Sequence, residues 1–226
     1  MHGRDDEDLL ADLIDGLKRP LPGHDAQAKM SPRPPRGKPL ARQAPADARL
    51  AAALILLYPN GASERRTATT LSLALTVRRA DLSAHAGQIS LPGGRIEPGE
   101  SAQDAALREA AEEVGVDTSQ VRVLGALTPL YVMVSRFLVT PFVAITDTRP
   151  QFQLDPREVA ELIEVPVATL LDPAVLQWGH RTREGYLIDF PYFDLGGHQV
   201  WGATAMILSE FLTIVDGGFA PNGPPR

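Results

Sequence analysis

The chain contains no cysteine. It can therefore hold no disulfide framework, no thiol nucleophile and no zinc site built on thiolates. Its five histidines are scattered, with no HxxxH pairing. Aromatic residues are only 6% of 226 positions, and the two tryptophans, Trp178 and Trp201, are expected in a core or an interface rather than as adenine platforms. No apolar run is long: the longest, residues 50–58, is too short to span a bilayer. Residues 1–15 are acidic rather than basic-then-apolar, so no secretory signal is expected there. A strong charge of either sign is also lacking. The net value of -6 gives no reason to expect nucleic acid or an anionic membrane as a partner. A cytoplasmic protein acting on a small molecule is the expectation, and a homodimer is compatible with it.

What is present suits one globular domain with extensions, since 44% of the residues are hydrophobic and 22% charged. Residues 5–18 read as an amphipathic helix, with Leu9, Leu10, Leu13, Ile14 and Leu17 in one stripe and Pro20 after it. Residues 21–47 are proline-rich and basic, which reads as linker; the sharper alternative is an arm that lends Lys38 or Arg42 to a phosphate-rich ligand. Residues 1–48 are thus expected as helix and arm, 49–216 as the main domain and 217–226 as a tail. Within the domain, 50–58 reads as a buried strand and 68–78 as a strand with one wet face. Residues 121–134 and 137–146 read as an antiparallel pair, 161–165 and 186–193 as short strands, 166–171 as a short helix or turn and 201–215 as a closing helix. Mixed elements predict an α/β (α+β) fold with layers around a mixed β-sheet.

The chemistry concentrates in one stretch. Gly94, Glu100, Arg108, Glu109, Ala110, Glu112, Glu113, Gly115 and Val116 follow the spacing G-x5-E-x7-R-E-U-x-E-E-x-G-U, where U is aliphatic or small. Run as a helix, residues 101–114 put Leu107, Ala110, Ala111 and Val114 on one stripe. Glu109, Glu112 and Glu113 then fall roughly opposite it, in the last turns, where the helix dipole disfavours negative charge. A hard divalent cation, Mg2+ or Mn2+, removes that conflict. The glycines at 93 and 94 break the preceding strand, and a carbonyl near Gly93 could turn towards the metal. Arg108 is expected to clamp Glu100, fixing the loop against the helix, and Gly115 to end the helix in a left-handed cap.

The stretch from Gly94 to Val116 resembles the Nudix box at every fixed position. The resemblance implies an α/β/α sandwich and a metal-dependent hydrolase of nucleoside diphosphates linked to another group. It implies metal binding at Glu109 and Glu113 with Glu112 assisting, and a structural pairing of Glu100 with Arg108. Upstream, residues 73–94 are similar to the coenzyme A pyrophosphatase motif, roughly L-L-T-x-R-[SA]-x3-R-x3-G-x3-F-P-G-G. Leu75, Thr76, Arg78, Gly87, Pro92, Gly93 and Gly94 match it, whereas Ala74, Arg79, Ser83 and Leu91 depart. Residues 161–173 and 200–208 also look like this subfamily.

The reaction implied is attack by water on one phosphorus of a diphosphate bridge, giving 3′,5′-ADP and 4′-phosphopantetheine from coenzyme A. Glu112 is the first choice for the base that takes the proton, with Glu158 and Glu161 as alternatives. Arg78, Arg79, Arg95 and Lys38 are candidates for the substrate's phosphates, and His85 and Gln88 for its diphosphate or amides. Two rivals stand beside this reading: a Nudix enzyme for ADP-ribose or nucleotide sugars, and a non-catalytic nucleotide-sensing module.

Overall fold

The computed structural model describes residues 9–33, 43–61, 67, 70–79, 87–183 and 186–219. Lys38, Arg42, Ser83 and His85 lie outside the described residues, as do the start of the first expected helix and the last residues of the tail.

The apolar run at 50–58 is the centre of the molecule. It forms β1 (Arg49–Pro59), buried at every position from residue 51 onward. Its period of two feeds two cores. Ala53, Ile55 and Leu57 point into one, and Ala52, Leu54, Leu56 and Tyr58 into the other. One edge of β1 is lined along its length by β7 (Phe137–Ile145), in parallel. The other edge is shared. β2 (Leu71–Arg78) pairs antiparallel at the far end, Leu57 to Pro59, and β4 (Gly93–Arg95) pairs antiparallel near the start, Ala51 to Ala53. Between these two contacts β2 leaves β1; β3 (Ile89–Ser90) pairs with β2 on the edge so freed, and β8 (Val159–Pro166) runs along the other edge of β2. β5 (Arg122–Ala126) and β6 (Leu130–Val132) complete the sheet by pairing antiparallel with β7. The sheet is therefore mixed, as expected.

One face of the sheet is covered by α3 (Ala102–Val114). Ala105, Ala106 and Ala110 form its buried surface, and such small side chains allow close approach to β1. Ser101 caps its start by accepting from the Asp104 amide at 3.1 Å, and Gly115 ends it at φ 71°. The other face is covered by α5 (Ala203–Asp216). α4 (Val167–Leu171) follows β8, buried at Val167 and Leu170. A second, three-stranded antiparallel sheet is formed by β9 (Leu176–Arg183), β10 (Tyr186–Leu195) and β11 (His198–Trp201).

Three expectations change. The strand at 71–78 has no wet face over its first six residues, because β1 and β8 flank it and both cores take its side chains. The stretch from 21 to 47 is not all linker. It carries α2 (Gly23–Ala28), and Ala26, Gln27, Met30 and Ser31 are buried. With α1 (Leu9–Lys18), which buries Leu9 and Leu13, it packs on α5. Finally, β9 and β11 were not expected; their polar residues hide the strand pattern.

α2 is tied down by a carboxylate on α5. Glu210, fully buried, accepts from Gln27 Nε2 at 2.8 Å, Gly23 N at 3.2 Å, Thr128 N at 3.3 Å and Thr128 Oγ1 at 2.7 Å. Glu210→Ala would strand these donors in the interior. A loss of about 3–5 kcal/mol is expected, read as a melting temperature lower by roughly 10 °C. A shift within 2 °C or so would mean that the hub contributes little.

Candidate active site

The end of α3 enters the gap where β2 leaves β1 and β4 begins. Glu113 is only 3% exposed there, on the buried side of α3 rather than opposite the apolar stripe as expected from the sequence. The alanine surface turns the helix so that Glu113 points at the sheet edge while Glu112 faces out. The Gly93 amide donates to Glu113 Oε2 at 3.2 Å. The contact between the glycine turn and this acid is thus made by the Gly93 amide. Burial pushes the Glu113 carboxyl up to about 7, against the pull of the Gly93 amide and of Arg78, with Glu109 and Glu158 adding repulsion.

Glu109 lies one turn back. Its carboxylate rests on Gly94, so closely that a methyl group at position 94 would overlap it. Burial raises its carboxyl as well; Arg108 opposes the shift, and Glu112 and Glu158 reinforce it. Arg108 is the organiser of the segment. It holds Glu100 through Nε to Oε1 at 2.8 Å and Nη2 to Oε2 at 3.2 Å, Glu109 at 3.0 Å and Glu112 at 3.1 Å. It also donates to the Arg95 carbonyl at 3.0 Å. The expected Arg108–Glu100 fork is present, and it keeps the Glu100 carboxyl below its ordinary value.

The structure brings together Glu109, Glu113, Gly93, Gly94, Arg108, Glu100 and Arg78. It also brings in Glu158, one of the two alternatives for the base. Arg78, at the end of β2, lies 3.7 Å from Glu113 Oε1 and 3.6 Å from Glu158 Oε2. The register of β2 against β8 slips between Val77 and Arg78, which sets Arg78 beside the start of β8. No local sequence signal announces that slip.

Other candidates lie elsewhere. Glu112 has a side chain 60% exposed and is held by Arg108, outside the pair formed by Glu109 and Glu113. Glu161 pairs with His198 on β11 at 3.3 Å. Arg79 donates to the Pro156 carbonyl at 2.7 Å and its amide to the Glu158 carbonyl at 3.1 Å, bracing the turn before β8. Gln88 is exposed, and its carbonyl accepts from the Arg78 amide at 3.0 Å. Arg95 is exposed, its carbonyl engaged by Arg108. Trp178 lies under the Arg33 guanidinium and Trp201 under that of Arg181, both in the small sheet.

Among the described residues, no three acidic or imidazole side chains stand close enough to form a ready cage for a metal ion. The donor set nevertheless fits a hard divalent cation. Two largely buried carboxylates lie on a glycine floor, Glu113 repelled by Glu109 and Glu158 and Glu109 by Glu112 and Glu158, and oxygen is the donor such ions take. Glu109 and Glu113 are the residues that would hold it.

A mixed sheet between helices, with an acidic helix end seated on a glycine turn, is suited to holding a hard divalent ion against an anionic ligand. The NUDIX domain model matches residues 49–185, and the chain belongs to the Nudix family. It is 36% identical over 140 residues to an uncharacterized Nudix hydrolase, NudL, of Photorhabdus laumondii, covering 62% of this chain and 74% of that protein. It is 31% identical over 163 residues to Nudix hydrolase 3 of Caenorhabditis elegans, covering 64% of this chain and 67% of that one. Among solved structures, RenU, a Nudix hydrolase from M. smegmatis, shares 25% identity at a TM-score of 0.40, covering 53% of this chain and 71% of that one. No helix among the described residues is long and apolar enough to cross a membrane.

Proposed function

We propose that the protein hydrolyses the diphosphate bond of coenzyme A and its derivatives, releasing 3′,5′-ADP and 4′-phosphopantetheine. The carrying observation is the pair of desolvated carboxylates, Glu109 and Glu113, on the Gly93–Gly94 turn with Arg108 locked to Glu100 behind them. Coenzyme A is favoured among diphosphates by the upstream motif, of which Leu75, Thr76 and Arg78 lie on β2 with Arg78 at the acids.

Glu109 and Glu113 would hold magnesium or manganese, which when bound would supply charge neutralisation at the phosphate oxygens and acidified water. The chain's own groups do the rest. The oxygen of water forms a bond to one phosphorus, and the bond from that phosphorus to the bridging oxygen breaks, leaving the second phosphate with the bridging oxygen. The proton of the water goes to a carboxylate. Of the three carboxylates considered for that step, Glu112 is held by Arg108 at 3.1 Å and Glu161 by His198 at 3.3 Å; Glu158, half exposed, more loosely paired with Arg78 at 3.6 Å and within the field of Glu109 and Glu113, is the proposed acceptor. Arg108 positions Glu109 by holding its Oε1.

The test is incubation with coenzyme A or ADP-ribose and Mg2+ or Mn2+, with both fragments identified by mass. Cleavage of coenzyme A to the two named products supports the reading. Cleavage of ADP-ribose alone would transfer the site to that substrate class, and cleavage of neither would favour a sensing module.

A further inference from the structure

The position of Arg78 is hard to reconcile with a group whose only task is to pair acids. Its guanidinium stands between Glu113 and Glu158 at 3.7 and 3.6 Å, beyond hydrogen-bond distance of both. Its Nε is buried with no hydrogen-bond partner among the described residues. A buried donor left unmade is costly, and a better seat for the same side chain would be populated if the local charges allowed it. The attraction of two carboxylates is what holds it there. Glu113 is nearly inaccessible, so the acid that needs a cation most has only this one beside it among the described residues.

We propose that Arg78 is an exchangeable counter-ion: it neutralises Glu113 and Glu158 in the metal-free protein and is expelled by the divalent ion to become a clamp for a substrate phosphate. The inference rests on the metal-dependent reading above. The physical sequence is simple. A divalent charge beside Glu113 replaces the attraction felt by Arg78 with repulsion. The guanidinium then leaves, its Nε gains an acceptor, and the planar fork matches two oxygens of a phosphate. Glu158 is released at the same moment, free to take a proton. Metal and phosphate binding thereby become coupled through one side chain, since each favours the same Arg78 position.

The test separates this from ordinary phosphate binding, because removal of Arg78 should strengthen one ligand and weaken another. In Arg78→Gln, Mn2+ titrated without nucleotide should bind about tenfold tighter, the effect of removing a univalent charge roughly 6 Å from a divalent one in a water-like dielectric. The KM for coenzyme A should rise about tenfold or more with the loss of the fork. Unchanged or weaker Mn2+ binding in that variant overturns the proposal. Wild-type protein supplies a second measurement that does not depend on the variant folding. The Arg78 Nε–H resonance should shift, and its protection from exchange should change, when Mg2+ is added. A resonance that ignores Mg2+ at saturating concentration also overturns it. Should the wild type bind Mn2+ yet cleave neither nucleotide, only the functional reading fails, and the two Mn2+ titrations still decide the role of Arg78.

Discussion

Glu113→Gln is expected to lower turnover by about a thousandfold or more while making the metal-free protein more stable. The two effects have one cause. The side chain is sealed from water, and its carboxyl is pushed up to about 7, chiefly by burial. A folded-state value raised above the unfolded one means that the native protein holds an extra proton between roughly pH 4.5 and 7. Stability of the metal-free form therefore falls as pH rises through that window and levels off above it, by about 3 kcal/mol in all. A neutral amide of the same shape escapes this penalty. At pH 8 the variant should melt roughly 6–10 °C above the metal-free wild type, and its melting temperature should lack that component of the pH dependence. Thermal melts with chelator from pH 4 to pH 8 measure it. Turnover near the wild-type rate in a folded variant would remove Glu113 from the reaction altogether.

The second large effect concerns two adjacent glycines with opposite consequences. At Gly93 an added methyl group would meet the Ala52 carbonyl and lie 2.7 Å from the Ala53 Cα, both backbone atoms of β1. Neither can yield without separating β4 from β1. Gly93→Ala should cost about 3 kcal/mol and reduce the yield of folded protein. At Gly94 the three atoms nearest the same methyl group all belong to the Glu109 carboxylate. That side chain can swing, so Gly94→Ala should stay within ~1 kcal/mol of wild type yet lose about a hundredfold in turnover, because a catalytic group has moved by an ångström or so. Paired melts and rate measurements separate the two. Equal losses of stability in both would show that Glu109 is as rigid as the strand beneath it.

The parts of the site legible in the amino-acid order are those with local causes. The bounds of α3 follow from the Ser101 cap and Gly115, and the Arg108–Glu100 fork from a spacing that one helix and one turn can satisfy. β1 shows itself as an unbroken apolar run because it is buried on both faces. What stayed hidden depends on distant partners. Glu158 reaches the acids only through the pairing of β2 with β8 and the slip beside Arg78. α2 sits in a proline-rich stretch, and its reason to fold is a carboxylate 183 positions away. The outward turn of Glu112 comes from how closely the alanines of α3 settle on the sheet, which helical periodicity does not report.

The hub at Glu210 bears on where this protein can be cut. The family match ends at residue 185 and starts at 49, but α5 shields one side of the sheet and the two leading helices shield α5. A fragment trimmed to the matched span would keep its acids and lay bare Ile55, Leu57, Leu73 and Val143. Homology borders and folding borders are different lines in this chain, and the first drawn on a cloning map would yield an insoluble product.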